Sequence, residues 1–205
     1  LRSETCPHQG TKRKADCVRA MTCYARAFKV AQAAPLALRK YLECKICYER
    51  DLRCLALLRP TVEAAFEKCG DRTAIRVHMP QALYETGEFA VLLSRPFESL
   101  KAYAKAVYLS DSQKHIEAAI DSLEKIQCGL LGLKHGDARP DWEPALNMAL
   151  RFLLLAQVAK AEQLARQAPE RIDRKEAALR EAQSALETKR DELKRAEEVR
   201  DRLEK

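Results

Sequence analysis

Cysteine is the residue type with the most chemistry to offer in this 205-residue chain. Seven of its eight cysteines, Cys6, Cys17, Cys23, Cys44, Cys47, Cys54 and Cys69, fall before residue 70, and Cys128 alone lies beyond. Thiols at that density can oxidise to disulfides, ligate zinc or pack reduced as small apolar groups. For zinc, Cys44-Lys45-Ile46-Cys47 has the spacing of half a site, with Cys54, Cys69, Cys6 and His8 as further ligands. Zinc knuckles place such a pair on a turn and match it with a second. Here the pair sits in a helical, apolar run and no second pair exists, so no metal is expected. Reduced core cysteines would place the chain in a reducing cytosol.

The disulfide reading is preferred because of the elements that would position the thiols. Ala, Leu, Glu, Lys and Arg dominate, with 6 Gly and 8 Pro in all, which favours helices and disfavours a turn-rich β fold. From Lys12, the residues Cys17, Met21, Tyr24 and Phe28 recur as one stripe of a helix. Pro35 ends that helix or starts the next. The second helix, Leu36 to Leu58, is apolar on most faces and should be buried. Folded back about Pro35, the two helices oppose Cys17 to Cys54 and Cys23 to Cys47, with Cys6 and Cys69 as a looser outer pair. Cys44 and Cys128 remain, and their pairing would tie the hairpin to a later helix. Cα atoms must approach within roughly 4.4–6.8 Å for such bonds. Cys47 and Cys54 are nearly in line on one helix, whereas Cys17 and Cys23 are about 120° apart. Cys44 also competes with Cys47 for Cys23, and eight cysteines allow 105 connectivities.

Cys44 and Cys54 enclose nine residues. A C-x9-C helical hairpin with nested disulfides resembles the plan of the CHCH family of the mitochondrial intermembrane space. The likeness covers residues 6–69 at most, and the first helix departs from it, offering Cys17-x5-Cys23 or Cys6-x10-Cys17 in place of a second C-x9-C. The resemblance implies oxidative import, an intermembrane-space location and a structural or assembly role in a larger complex. Disulfide-stapled bundles are also the general style of long-helix surface receptors of trypanosomes, with no motif shared. Asn147, the sole Asn, heads no glycosylation sequon.

Downstream, Pro60 should break the second helix, Thr61 to Cys69 adds a turn or two, and Gly70-Asp71 is a stop signal. Ile75 to Met79 reads as a short extended link. Gln81–Leu93, Pro96–Leu109 and Asp111–Leu133 read as helices. Ile116, Ile120, Leu123, Ile126 and Leu130 form the stripe of the third, and Ser110-Asp111 its N-cap. After the loop 134–141, with Asp141 as a cap and Pro144 in the first turn, a long helix starts near Trp142, a core anchor. Pro169 should kink or restart it. Beyond, Ile172, Leu179, Leu186 and Leu193 recur every seven residues, with Lys189 in one slot of the partner line, as a thin coiled-coil seam. At ~1.5 Å per residue, a straight helix over 170–205 would reach about 50 Å and extend to meet a partner.

The fold class expected is therefore all-α: a stapled basic hairpin (1–70), a helical body (81–168) and an extended charged helix (169–205). The chain starts at Leu1 rather than Met, which implies a removed leader or a fragment.

Charge supports the same division. Residues 1–60 hold 13 basic and 5 acidic residues, while 170–205 hold 11 of each. Lys12-Arg13-Lys14 is the densest basic cluster, suited to an anionic surface, although no nucleic-acid signature accompanies it.

No catalytic constellation is evident. His8, His78, His115 and His135 are scattered, no phosphate-cradling or nucleophile motif occurs, and Glu85 with Glu88 reads as a solvated face. The function expected is non-enzymatic: a protein-interaction or structural subunit in an oxidising compartment, the intermembrane space ahead of the cell surface. It would take no cofactor and no small-molecule substrate, and would meet protein partners through helix faces and the C-terminal helix. The alternatives are an extracellular helical-bundle receptor binding a host or partner protein, and a cytosolic scaffold with reduced cysteines.

Overall fold

A computed structural model describes residues 11–30, 34–131, 133 and 139–203 of the chain. Side chains within helices are described except at 11–17, 28, 29, 168, 169, 171–175 and 191–203. The described residues are all-α: α1 (Thr11–Val30), α2 (Pro35–Cys44), a π-helical turn (Lys45–Glu49), α3 (Arg53–Ala74), α4 (Gln81–Leu92), α5 (Pro96–Leu109), α6 (Lys114–Leu130) and α7 (Glu143–Leu203). They form two compact units, residues 1–160 and residues 161–205.

In the first unit two helices start at proline. Pro35 opens α2 after an extended Ala34, and Pro96 opens α5. Proline belongs at a first helical position, where its missing N–H has no intrahelical partner to lose. α1 packs on α2, α2 and α4 both meet α3, α4 meets α5, and α6 lies against the π turn. The main core cluster holds Leu38 and Leu42 of α2 and Ile46 of the π turn, fully buried, with Tyr84, Phe89, Tyr103, Leu123 and Leu146. The stripe Ile116, Ile120, Leu123, Ile126 and Leu130 is buried as expected, and Trp142 is a core residue.

Two close approaches depend on glycine. A Cβ on Gly129 would stand 2.5 Å from the Ile46 carbonyl oxygen, and one on Gly87 would stand 2.8 Å from the Tyr103 ring.

Several expected boundaries are corrected. Leu36–Leu58 is not one helix. The chain widens into the π turn, Arg50 takes a left-handed conformation (φ 53°, ψ 30°), and α3 starts afresh at Arg53. The Asp51 carboxylate accepts the Arg53 N–H at 3.2 Å, a local bond that supports the restart. Pro60 does not break α3 but lies inside it. Both Pro60 and Ala56, whose carbonyl loses its partner, are exposed, so water can satisfy that oxygen. The helix also runs past Gly70-Asp71 to Ala74. Ile75–Met79 is not extended but coiled into turns with Arg76 and His78 left-handed. Ser110 does not cap α6; its hydroxyl donates to the Ala106 carbonyl at 2.7 Å and meets the Tyr84 hydroxyl at 3.0 Å.

The second unit, residues 161–205, is helical through Leu203, and the helix assignment is unbroken at Pro169. Every described side chain from 176 to 190 is exposed. No helix among the described residues is long and apolar enough to cross a membrane.

Candidate functional site: a buried ionic cluster

The expected disulfide rungs are not seen among the described residues. Cys23 is an exposed thiol, and Cys54 and Cys69 are buried thiols. Because the π turn ends at Glu49 and a new helix starts at Arg53, Cys54 and Cys69 ride on α3, which packs on α2 and α4. The expected hairpin of two continuous helices about Pro35, on which their pairing with Cys17 and Cys6 rested, is therefore not the one observed. Burial pushes the Cys54 and Cys69 thiols up to about 12, so neither is a ready nucleophile. Cys44 and Cys47 are buried, and Cys128 packs with Cys47 in a small cluster against Tyr48. Cys6 and the side chains of Lys12, Arg13, Lys14, Cys17, Ile172 and Leu193 lie outside what is described. Among the described residues no set of His, Cys, Asp and Glu is arranged to hold a metal ion.

What the structure does bring together is a set of charges inside the first unit. Arg39, Lys40 and Glu43 stand on α2, Glu85 and Glu88 on α4, Tyr103 on α5 and Ser122 on α6. The expectation that Glu85 and Glu88 form a solvated face is overturned: they are 3% and 1% exposed. Arg39 Nη1 lies 3.3 Å from Glu88 Oε2, and Arg39 Nε lies 3.7 Å from Glu43 Oε1. The Lys40 ammonium donates to both Glu43 oxygens at 2.8 Å. The Ser122 hydroxyl oxygen stands 2.5 Å from Glu43 Oε1 and 2.9 Å from Glu88 Oε2. Beside this group, Glu85 pairs with Arg72 at 3.7 Å and takes contacts from the Cys69 thiol at 3.7 Å and the Gln81 amide at 3.3 Å.

The electrostatics follow from burial. Burial opposes the charge on the Arg39 guanidinium, yet Glu88, Glu43 and Glu85 outweigh it and hold its pKa above the usual value. Burial pushes the Glu88 carboxyl up to about 7, with Arg39 pulling the other way and Glu43 adding to the rise. The Tyr103 phenol is held well above its usual value by burial and by Glu88. Three buried polar atoms of the cluster lack a hydrogen-bond partner: Arg39 Nε, Glu88 Oε1 and the Tyr103 hydroxyl. Such orphans each oppose folding, so the group is held by the helices around it rather than by ideal pairing.

One of the carboxylates borders a hollow. Glu43 lines a hollow of about 220 Å³ together with Tyr24, Lys40, Cys44, Tyr48 and Lys125. A second, mostly apolar hollow of about 550 Å³ lies elsewhere, lined by Thr73, Met79, Leu83, Lys105, Tyr108 and Leu109 among others. The ionic cluster is therefore suited to exchanging protons with water and to joining helices.

A signal for it was present in the sequence. Among the twelve residues of α4, Glu85 and Glu88 are the only ionisable carboxylates, and Ala82, Leu83, Phe89, Ala90, Val91 and Leu92 leave little polar face. A helix apolar all round is buried, and its charges go inside with it. No protein-family model matches the chain, and no curated protein or solved structure matches it either.

Proposed function

We propose that the chain is a non-enzymatic interaction subunit whose distal helix, in residues 161–205, pairs with a protein partner as a coiled coil. One observation carries the reading. Leu179 and Leu186, seven residues apart, are 59% and 57% exposed on a helix whose described neighbours from 176 to 190 are exposed on every side. Within the unit the helix draws on intrinsic propensity and on pairs such as Arg180 with Glu176 at 3.4 Å, worth only about 0.2–0.5 kcal/mol each. Covering a leucine stabilises by about 1.5–3 kcal/mol, so a partner helix on the seam would add more than the surface pairs do. The seam is thin, since Lys189 interrupts it, which suits a selective heteromeric partner better than a strong zipper.

The test uses the full chain with Leu179→Asp and Leu186→Asp together. The double variant should melt as the wild type does in the first unit but lose a stoichiometric partner recovered from its native extract. Equal recovery by both proteins, or a partner in neither, contradicts the proposal.

The setting we propose is an oxidising compartment, and the crowding of seven cysteines before residue 70 carries it. The thiols of Cys23, Cys54 and Cys69 favour a second reading, a cytosolic scaffold with reduced cysteines. Thiol mapping of the protein from its source separates the two: blocked cysteines sink the scaffold, and eight open thiols sink the oxidised setting.

A further inference from the structure

The contacts around Ser122 raise a question of counting hydrogens. Its hydroxyl oxygen is within hydrogen-bond distance of two carboxylates, 2.5 Å from Glu43 Oε1 and 2.9 Å from Glu88 Oε2. A serine hydroxyl has one hydrogen, and an ionised carboxylate has none. If both glutamates are ionised, one of these contacts sets lone pair against lone pair. If one carboxyl is protonated, both contacts become hydrogen bonds: the carboxylic acid donates to Ser122 Oγ, and Ser122 donates to the other carboxylate.

The surroundings say which glutamate holds the proton. Both Glu43 oxygens receive the Lys40 ammonium, and Glu43 borders a hollow. Glu88 is 1% exposed, and among the described residues its Oε1 has no hydrogen-bond partner and its one ion pair is with Arg39 at 3.3 Å.

We propose that Glu88–Ser122–Glu43 is a proton relay, in which Glu88 is a carboxylic acid that joins α2, α4 and α6 and releases its proton as pH rises. In the release, the Glu88 proton passes to Ser122 Oγ while the Ser122 hydrogen passes to Glu43 Oε1. Glu43 then gives its proton to water in the hollow beside Tyr24 and Tyr48, and Glu88 is left as a carboxylate. The groups facing Glu88 are Arg39, Lys40 and Glu43 from α2, Tyr103 from α5 and Ser122 from α6. On its own helix stands Glu85, which Arg72 and Cys69 of α3 contact. Burial pushes the same Glu88 carboxyl up to about 7, in agreement with the geometry.

The sign follows from proton linkage. An unfolded glutamate loses its proton at a lower pH than folded Glu88 does, so between the two values the folded state binds more protons. Stability from this group is complete below the unfolded value and is lost as pH rises through the folded one. Melting the full chain between about pH 5 and about pH 8 should show the wild-type Tm falling with pH relative to that of E88Q, whose amide can donate to Ser122 without ionising. Other titrating groups are common to both proteins and cancel in the comparison. Equal slopes overturn the proposal. Infrared spectroscopy of the wild type needs no variant: a buried protonated-carboxyl band should be present at about pH 6 and fade above neutrality. No such band at the lower pH overturns the proposal, whether or not E88Q folds.

Discussion

Arg39 and Glu88 meet at 3.3 Å in a space from which water is excluded, and each is tied to a second carboxylate or hydroxyl. Removing one member of such a group strands the other. Above about pH 8, where Glu88 has lost its proton, Arg39→Met should therefore destabilise the chain by about 3–5 kcal/mol in urea denaturation, the loss typical of an uncompensated buried charge. A loss under about 1 kcal/mol, the range of a surface ion pair, would contradict the burial described. The cysteines give a second check at this scale. Cys23, an exposed thiol, should alkylate rapidly in the native protein, whereas Cys54 and Cys69, buried with thiols pushed up to about 12, should react only on unfolding. Timed alkylation with peptide mass spectrometry reads all three, and rapid labelling of Cys69 in the native state would argue against its place beside Glu85.

Helix positions show what the sequence makes legible and what it does not. α4 and α5 begin where Gln81 and Pro96 suggest, because strong apolar periodicity and an N-terminal proline are local signals. The break between the π turn and α3 carries no Gly or Pro. It is written in the left-handed Arg50 and in the seating of Ile46 on Gly129, a tertiary contact that no window of sequence contains. The same holds for Glu85 and Glu88: spacing alone cannot separate a wet face from a buried one, and only the apolar character of the whole helix does. Pro60 misleads in the opposite sense, since helix-breaking propensity yields to the packing of α3 and to a hydrated Ala56 carbonyl. Pro60→Ala should accordingly raise stability, by up to about 3 kcal/mol as seen in thermal melts. Gly129→Ala should lower it by about 1–3 kcal/mol or more, because the Ile46 backbone oxygen at 2.5 Å cannot turn aside as a side chain would. An unchanged Tm for Gly129→Ala would mean that α6 does not seat on the π turn.

At the level of the whole molecule, the two units differ in how they meet water. Residues 1–160 enclose a large apolar cluster and a set of charges bound to one another across α2, α4 and α6. In residues 161–205 the described side chains from 176 to 190 are all exposed, Leu179 and Leu186 among them. That contrast supports the division of labour we propose, a self-sufficient helical body and a helix whose apolar seam awaits a partner. Site-specific photo-crosslinking from position 186 of the full chain, expressed in its source cells, tests this most directly. The proposal predicts one dominant protein adduct at position 186, absent when the crosslinker is moved to the polar position Thr188. Equal adducts from both positions, or none from position 186, would contradict it.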